Sequence, residues 1–555
     1  MVNTIDAAAL KARIHQGGEL ALIDVREHGQ YGEAHLFFAV SIPYSRMELE
    51  LPRLVPRQST PIVLIDQEPC TIAKRALARM TSLGYREFAI LEGGVEAWQA
   101  AGYQLFAGVN LPSKTFGELA EEVFHTPRLS AGELQAKREA GESIAILDGR
   151  PFTEHQKMHI PGAQCCPNGE LALRVFDIVP DPKTTIIVHC AGRTRSIIGA
   201  QTLINLGLPN PIYALENGTQ GWALAGLELS RGAEDPFVAL PLPHAPAEQY
   251  SAAKSWSDRL GIETISWDVF QRMWRDSNRN TMLCDVRTAE EFAVWHLPGA
   301  QHTPGGQLIQ ATDQYIGVRG ARLVLYDSEN LRARVVACWM HLMGWEVYCL
   351  DASELHSMGE QTLCEASQAE RRQQILAKGT EPFETIDGAV LANRLSLAPS
   401  EAPLVIDLRP SMSFRRARLE VAIWSIRPRL PELLEGLQQA VHELILLAES
   451  LEVARLAALE CKAFFDASAV KHAESGSGIR LPRLLLCVDT PSQWEACGLI
   501  VKPSPDKPTD EACIDYLFFT HDRHDGNLNA ARQYLAWELG LTRQIDAEER
   551  ASFRL

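Results

Sequence analysis

The 555-residue chain lacks several things at once. No apolar run reaches the ~18 residues a membrane span needs. Its opening, "MVNTIDAAALKARIHQGG", has no continuous apolar core and carries Asp6 within its apolar part, so no secretory signal is expected there. Positive charge is in deficit: 53 Lys and Arg stand against 70 Asp and Glu, a formal net charge of −17. No basic patch with interleaved aromatics offsets it, which excludes general affinity for nucleic acid or an anionic membrane. Paired cysteines are missing as well. Of twelve, only Cys165 and Cys166 are close in sequence, and adjacent residues bridge only under strain. Without a CxxC pair or Cys/His spacing, neither a disulfide framework nor a structural zinc motif is expected. Reduced thiols and a cytoplasmic location are the simplest expectation.

What is present is repetition. Composition is that of an ordinary globular protein, and the length predicts roughly three to five domains. "LIDVREHGQYGEAHL" (22–36) recurs as "ILDGRPFTEHQKMHIPGA" (146–163), "LCDVRTAEEFAVWHLPGA" (283–300) and, more weakly, "VIDLRPSMSFRRARLEVA" (405–422). Each copy opens on a strand ending in Asp-x-Arg: Asp24/Arg26, Asp148/Arg150, Asp285/Arg287 and Asp407/Arg409. Eleven residues past the Asp lie His35, His159, His296 and, in the fourth copy, Arg418. A second strand is expected to end 42 positions after each Asp, at Asp66, Cys190, Asp327 and Glu449. A helical stretch, another strand and a Trp-containing segment ("EGGVEAWQAAG", "ENGTQGWALAG", "PSQWEACG") follow. Alternating strands and helices predict an α/β fold: four tandem units, each a mostly parallel sheet flanked by helices. The expected units are 1–107, 124–232, 262–359 and 384–500, with a C-terminal extension over 501–555. Linkers are expected near 108–123, 233–261 and 360–383.

The copies control one another. Asp-x-Arg is in all four and reads as scaffold, a charge-assisted lock on a loop. His159 reads as scaffold too, because its equivalents accompany Asp66 and Asp327. Cys190 differs. It alone puts a thiol at the strand end, in "TIIVHCAGRTRS" (185–196), and only this copy combines a thiol, a glycine and two arginines. Backbone N–H groups of a strand-to-helix loop and the positive helix terminus favour a thiolate. Gly192 is expected to permit the tight curvature of an anion-binding nest. Arg193 and Arg195 add guanidinium forks suited to an oxyanion. A buried, inert cysteine is the bland alternative, and it leaves the two arginines unexplained.

The pattern D-x-R, H-I-P-G-A, strand-Cys-loop-helix, E-x-G-x-x-x-W-x-x-A-G resembles the rhodanese family of sulfurtransferases over most of residues 1–500. The resemblance implies that Cys190 takes a sulfane sulfur as a persulfide and passes it to cyanide or a thiol, a covalent two-step exchange. It implies that the N–H groups of Ala191, Gly192, Arg193, Thr194, Arg195 and Ser196 cradle that persulfide. Arg193 and Arg195 would help bind the anionic donor, with Arg174 a weaker candidate contact. No cofactor or metal is expected. Expected partners are a small anionic sulfur donor, thiosulfate or a persulfide, and a thiol or cyanide acceptor. Mercaptopyruvate fits least, because its enzymes tend to carry a Gly/Ser-rich loop. Copies one, three and four would be inactive, with Asp327 and Arg332 paired across the empty loop.

Two rival readings stand beside this one. Some phosphatases and arsenate reductases share the fold, but resemble Cys-x5-Arg, whereas Cys190 to Arg195 is Cys-x4-Arg. A non-catalytic binding scaffold suits the three copies without a thiol. Cys70, four residues past Asp66, and the Cys165–Cys166 pair are minor redox candidates. The tail segment "FFTHDRHDGN" clusters His521, Asp522, His524 and Asp525, read as a solvated turn ahead of a metal site.

Overall fold

The computed structural model describes residues 3–233, 245–353, 355, 383–397, 402–437, 441–474 and 481–555. Four five-stranded parallel sheets follow one another along the chain. The second, which carries Cys190, serves for all. Its strands are β1 (Arg128–Leu129), β2 (Ile144–Asp148), β3 (Gln164–Cys165), β4 (Thr185–His189) and β5 (Ile212–Leu215). Their order is β1-β5-β4-β2-β3. Parallel strands covered on both faces need near-continuous apolar runs, and Ile186, Ile187 and Val188 of β4 are fully buried.

Each unit also opens alike. An edge strand leads into a helix whose first turn is capped by a short polar side chain. Asp6, Ser130, Ser266 and Asp387 each accept a hydrogen bond from the backbone N–H three residues on. The capping residue satisfies one orphan donor and fixes where the helix begins. At the other end of the first, second and fourth units, the Trp-containing helix buries its indole: Trp98, Trp222 and Trp494 are almost wholly enclosed.

The Asp-x-Arg pairs form the same lock four times. In the second unit Asp148 accepts from the Arg150 backbone and guanidinium, and Arg150 also donates to the Met158 carbonyl at 2.6 Å. Arg26, Arg287 and Arg409 repeat it toward Ala34, Trp295 and Ala417. His35, His159 and His296 each turn Nδ1 to the carbonyl four residues back and stack on the ring there. They are scaffold.

Three expectations change. The linker expected near 108–123 is largely a helix, α1 (Leu111–Phe124), whose Leu111, Phe116, Leu119 and Ala120 are core residues. The segment 233–261 likewise holds the helix Ala247–Arg259, although residues 234–244 lie outside the described part, as does nearly all of 360–383. The fourth copy is offset by one. Asp24, Asp148 and Asp285 sit opposite Ile65, His189 and Tyr326, 41 residues on, but Asp407 sits opposite Leu447, 40 residues on. The residue matching Cys190 there is Ala448, and Glu449 lies one place further, accepting from Ser413.

Candidate active site around Cys190

β4 delivers Cys190 to the carboxyl end of the sheet, where α2 (Thr194–Asn205) begins four residues later. Cys190 is 2% exposed and lines a cavity of about 420 Å³. Its carbonyl accepts from Thr219, which seats the Trp222 helix against the strand end. Gly218 stands at that contact with φ +51°, and a Cβ there would lie 2.1 Å from the Cys190 oxygen. The Ser196 hydroxyl donates to Sγ at 3.2 Å. Among the described residues no protein group accepts from the N–H groups of Thr194 or Arg195.

The sister copies show what those N–H groups want. In the third unit the Asp327 carboxylate takes the N–H groups of Leu331 and Arg332 at 2.9 and 2.8 Å. These are the counterparts of Thr194 and Arg195. In the first unit Asp66 accepts from the N–H groups of Gln67, in its own loop, and of Ala73, in the helix that follows. In the third unit an acidic side chain therefore occupies the N–H groups that the loop around Cys190 leaves for another anion.

Both arginines of the loop line the cavity and are held by carboxylates. Arg193 is 3% exposed: three N–H contacts of 2.8 to 3.0 Å reach Glu118 on α1, and a further one reaches Glu121. It clamps the loop to the helix. Arg195 pairs bidentately with Glu154 at 2.7 and 2.8 Å and reaches Gln307 of the third unit. Arg332 pairs with Glu291 in the matching place, so the pairing is shared between the two units, while Arg195 also lines the cavity. Asp327 and Arg332 do not pair; the Arg332 guanidinium goes to Glu170, Glu291 and Glu329. Arg174 pairs with Glu170 at 2.7 Å and is not in the cavity lining.

Gly192 has no left-handed φ. It is needed for space: a Cβ there would lie 2.9 Å from Oε2 of Glu538 and 3.3 Å from the Tyr534 ring. Glu538 and Tyr534 belong to α3 (Leu528–Gln544), the helix of the C-terminal extension. With Phe519, Arg523, His524 and Trp537 they form a wall of the cavity, and Lys114 of α1 and Lys157 line it too. Reading the sequence missed this wall, since nothing in "NLNAARQYLAWELGL" ties it to a loop more than 300 residues earlier. The tail is a turn, as expected, with His521 exposed 3.1 Å from Asp522. His524, however, is drawn into the cavity, where burial pushes it down to about 3. Burial likewise lowers His189 to about 4, so it is neutral beside Cys190 near pH 7. No group of three metal-binding side chains occurs among the described residues.

The other cysteines sit elsewhere. Cys165 faces the Arg150 carbonyl, and burial raises it to about 12; Cys166 is raised further by its burial. Cys70 is buried against the Leu91 carbonyl. None of the three lines the cavity. No described helix is long and apolar enough to cross a membrane.

Comparison places the chain in a known group. The rhodanese-like domain model matches residues 6–101, 130–225 and 268–353, half of the chain, and the protein belongs to the rhodanese family. A crystal structure of thiosulfate sulfurtransferase from Pseudomonas aeruginosa is similar over the whole length. It is 36% identical, covers 100% of this chain and 99% of its own, and superposes with a TM-score of 0.83. The HTH-type transcriptional regulator Rv0324 of Mycobacterium tuberculosis (strain ATCC 25618 / H37Rv) is 34% identical over 116 residues, 20% of this chain and 50% of its own. YrkF of Bacillus subtilis (strain 168) is 32% identical over 103 residues, 19% of this chain and 54% of its own. The chain spans about half the length of these curated relatives.

Proposed function

We propose that the protein is a sulfurtransferase that moves sulfane sulfur from a small anionic donor, thiosulfate or a persulfide, to cyanide or a thiol through a Cys190 persulfide. One observation carries this reading: the N–H groups that Asp327 neutralises in the third unit are unclaimed around Cys190. In the first step the Cys190 thiolate attacks the outer sulfur of thiosulfate. A Cys–S bond forms, the S–S bond of the donor breaks, and sulfite leaves with the electron pair. The persulfide anion then rests against the loop N–H groups and the Ser196 hydroxyl, where fixed dipoles stabilise it without reorganisation. The likeness to the Pseudomonas aeruginosa thiosulfate sulfurtransferase supports the same chemistry. With a carboxylate, or alanine, at the strand end in place of the thiol, copies one and three and copy four serve as scaffold.

The test is a thiosulfate:cyanide assay with mass spectrometry of the protein. Wild type is expected to turn over and to carry an added sulfur of ~32 Da on Cys190, as capture by a nucleophile requires. Cys190→Ser is expected to lose both. Undiminished turnover in that variant would refute the assignment, and hydrolysis of an aryl phosphate in place of sulfur transfer would favour the phosphatase reading.

A further inference from the structure

The cavity is larger than an inorganic donor needs. At about 420 Å³ it lies in the ~300–1,000 Å³ range of sites for organic ligands. A second cavity of about 300 Å³ adjoins it, since Gln220, Arg523 and His524 line both. Met158, Leu227, Leu229 and Leu528 give the second one apolar surface. Arg523 therefore stands where the two meet, on the C-terminal extension and outside the repeated units.

Its charge is the one left over. Arg193 is held by Glu118 and Glu121, Arg195 by Glu154, and Lys157 lies 3.2 Å from Asp525. Lys114 and Arg523 both lie over the Tyr534 ring, 4.8 and 4.4 Å from its centroid. One cavity-lining carboxylate, Glu538, serves these two cations, and its Oε1 is 3.6 Å from the Lys114 ammonium. Its other oxygen, Oε2, neighbours the amide donor Nε2 of Gln220: a Cβ on Gly192 would lie 2.9 Å from the one and 3.7 Å from the other. Asp522 and Asp525 flank Arg523 in sequence, but they are exposed and turn to His521 and Lys157. His524, lowered by its burial, adds no charge near pH 7. Arg523 donates from Nη1 to the Thr520 carbonyl at 3.0 Å. Its Nε is buried without a partner, and among the described residues no ion pair includes it. A buried donor on an uncompensated guanidinium calls for an anionic acceptor.

The position restricts which anion. The Tyr534 ring would meet a Gly192 Cβ at 3.3 Å, and Arg523 lies on that ring, so an anion at Arg523 stands beside the Cys190 loop and not within it. Thiosulfate carries its charge next to the sulfur it transfers, where the loop N–H groups serve it. A carboxylate set apart from its sulfur by an organic body suits the offset, and Phe519, Tyr534 and Trp537 line the space for that body.

We infer that Arg523 is a specificity residue that holds the carboxylate of an organic thiol, the acceptor of the second half-reaction. The inference rests on the sulfurtransferase reading for the acceptor's role. In that step the acceptor sulfur attacks the outer sulfur of the Cys190 persulfide. A new S–S bond forms on the acceptor, the bond to Sγ breaks, and the electron pair returns to Cys190 as thiolate. The acceptor's own proton ends on the persulfide product, so no oxidant is consumed.

The test separates binding from turnover. Titration calorimetry on the full chain compares 3-(methylthio)propanoate with 3-(methylthio)propan-1-ol, neither of which can accept sulfur. Wild type is expected to bind the carboxylate at least tenfold more tightly, and Arg523→Gln to reduce that ratio below threefold. In turnover with thiosulfate, 3-mercaptopropanoate is expected to exceed 3-mercaptopropan-1-ol in kcat/KM at least tenfold, again through Arg523. Equal affinities in wild type, or a ratio unchanged in Arg523→Gln, would overturn the subsite. Should that variant unfold, Arg523→Met, which keeps an apolar stem over Tyr534, is the substitute with the same expected loss. If sulfur loading from thiosulfate falls in either variant while the carboxylate ratio holds, Arg523 serves the inorganic donor and the inference fails. If Cys190 loads sulfur but carboxylates gain nothing, the subsite falls and the sulfurtransferase reading stands. If Cys190 never loads while an Arg523-dependent carboxylate preference persists, the subsite stands and that reading falls.

Discussion

At the scale of single residues, the informative comparison is between Cys190 and Asp327. Both sit at the same strand end, before the same turn. Asp327 is a structural acceptor: its carboxylate takes two buried N–H groups. Removing it leaves both unpaired, at ~1–3 kcal/mol for a buried group left unsatisfied. Asp327→Ala is therefore expected to lower stability by about 2 kcal/mol in urea unfolding. Cys190→Ala removes only the partner of the Ser196 hydroxyl and should cost less than about 1 kcal/mol, the net worth of a typical hydrogen bond. The reverse order would mean that the thiol is structural. Cys190 stood out in the sequence because three sister copies showed what an ordinary residue there looks like. The roles of its arginines did not, for a guanidinium's partner is a matter of tertiary placement. Glu118, Glu121 and Glu154 carry no mark in the sequence that assigns them to Arg193 and Arg195.

Among elements, the clamp between the Cys190 loop and α1 matters most. Gly117 of α1 packs so closely on Thr194 that a Cβ would meet the threonine Cγ2 at 2.6 Å. The Arg193 guanidinium spans the same contact, matching the Glu118 carboxylate with its planar fork. Without Arg193, two buried or half-buried carboxylates would face each other with no cation between them. Breaking a buried pair by deleting one partner costs about 3–5 kcal/mol. Arg193→Met is expected to fall in that range by urea unfolding. Arg193→Lys should recover less than half, since one ammonium cannot make the forked contact; full recovery by lysine would show that charge alone holds the clamp. The stretch near 108–123 read as linker because α1 carries polar residues, among them Lys114 and Glu118, on faces that here are buried and paired. The units' strands were legible because parallel strands demand continuous apolar runs. The one-residue offset of the fourth copy was not, because "ILLAES" places apolar residues at both candidate registers and only the ladder with Asp407 decides between them.

Across the whole molecule, the units are joined by buried charge as well as apolar packing. Arg427 of the fourth unit donates twice to Glu48 of the first, at 2.6 and 2.9 Å, and once to the Tyr44 carbonyl. Arg79 reaches Glu48 from the first unit's own helix, and Arg75 with Arg427 holds Glu460. Arg332 ties the third unit to Glu170 of the second, and Glu19 receives Asn280 across the first and third. Burial works against the Glu48 carboxylate, but the Arg427 and Arg79 guanidinium groups outweigh it and hold the acid down at about 2, against an ordinary 4.5. A carboxyl whose folded value lies below its unfolded one adds stability that is fully present above the unfolded value. It fades as pH falls from about 4.5 through about 2. A displacement of this size is worth about 3 kcal/mol at neutral pH. Glu48→Gln is therefore expected to lose about that much in urea unfolding at pH 7, and the gap to wild type should narrow as the pH is lowered from 4.5 toward 2.5. Because the lost contact belongs to Arg427 as well, proteolytic nicking should rise in the fourth unit although the substitution lies in the first. A gap that stays constant across that pH range would mean that Glu48 contributes by packing; nicking confined to the first unit would mean that the ion pair does not couple the two.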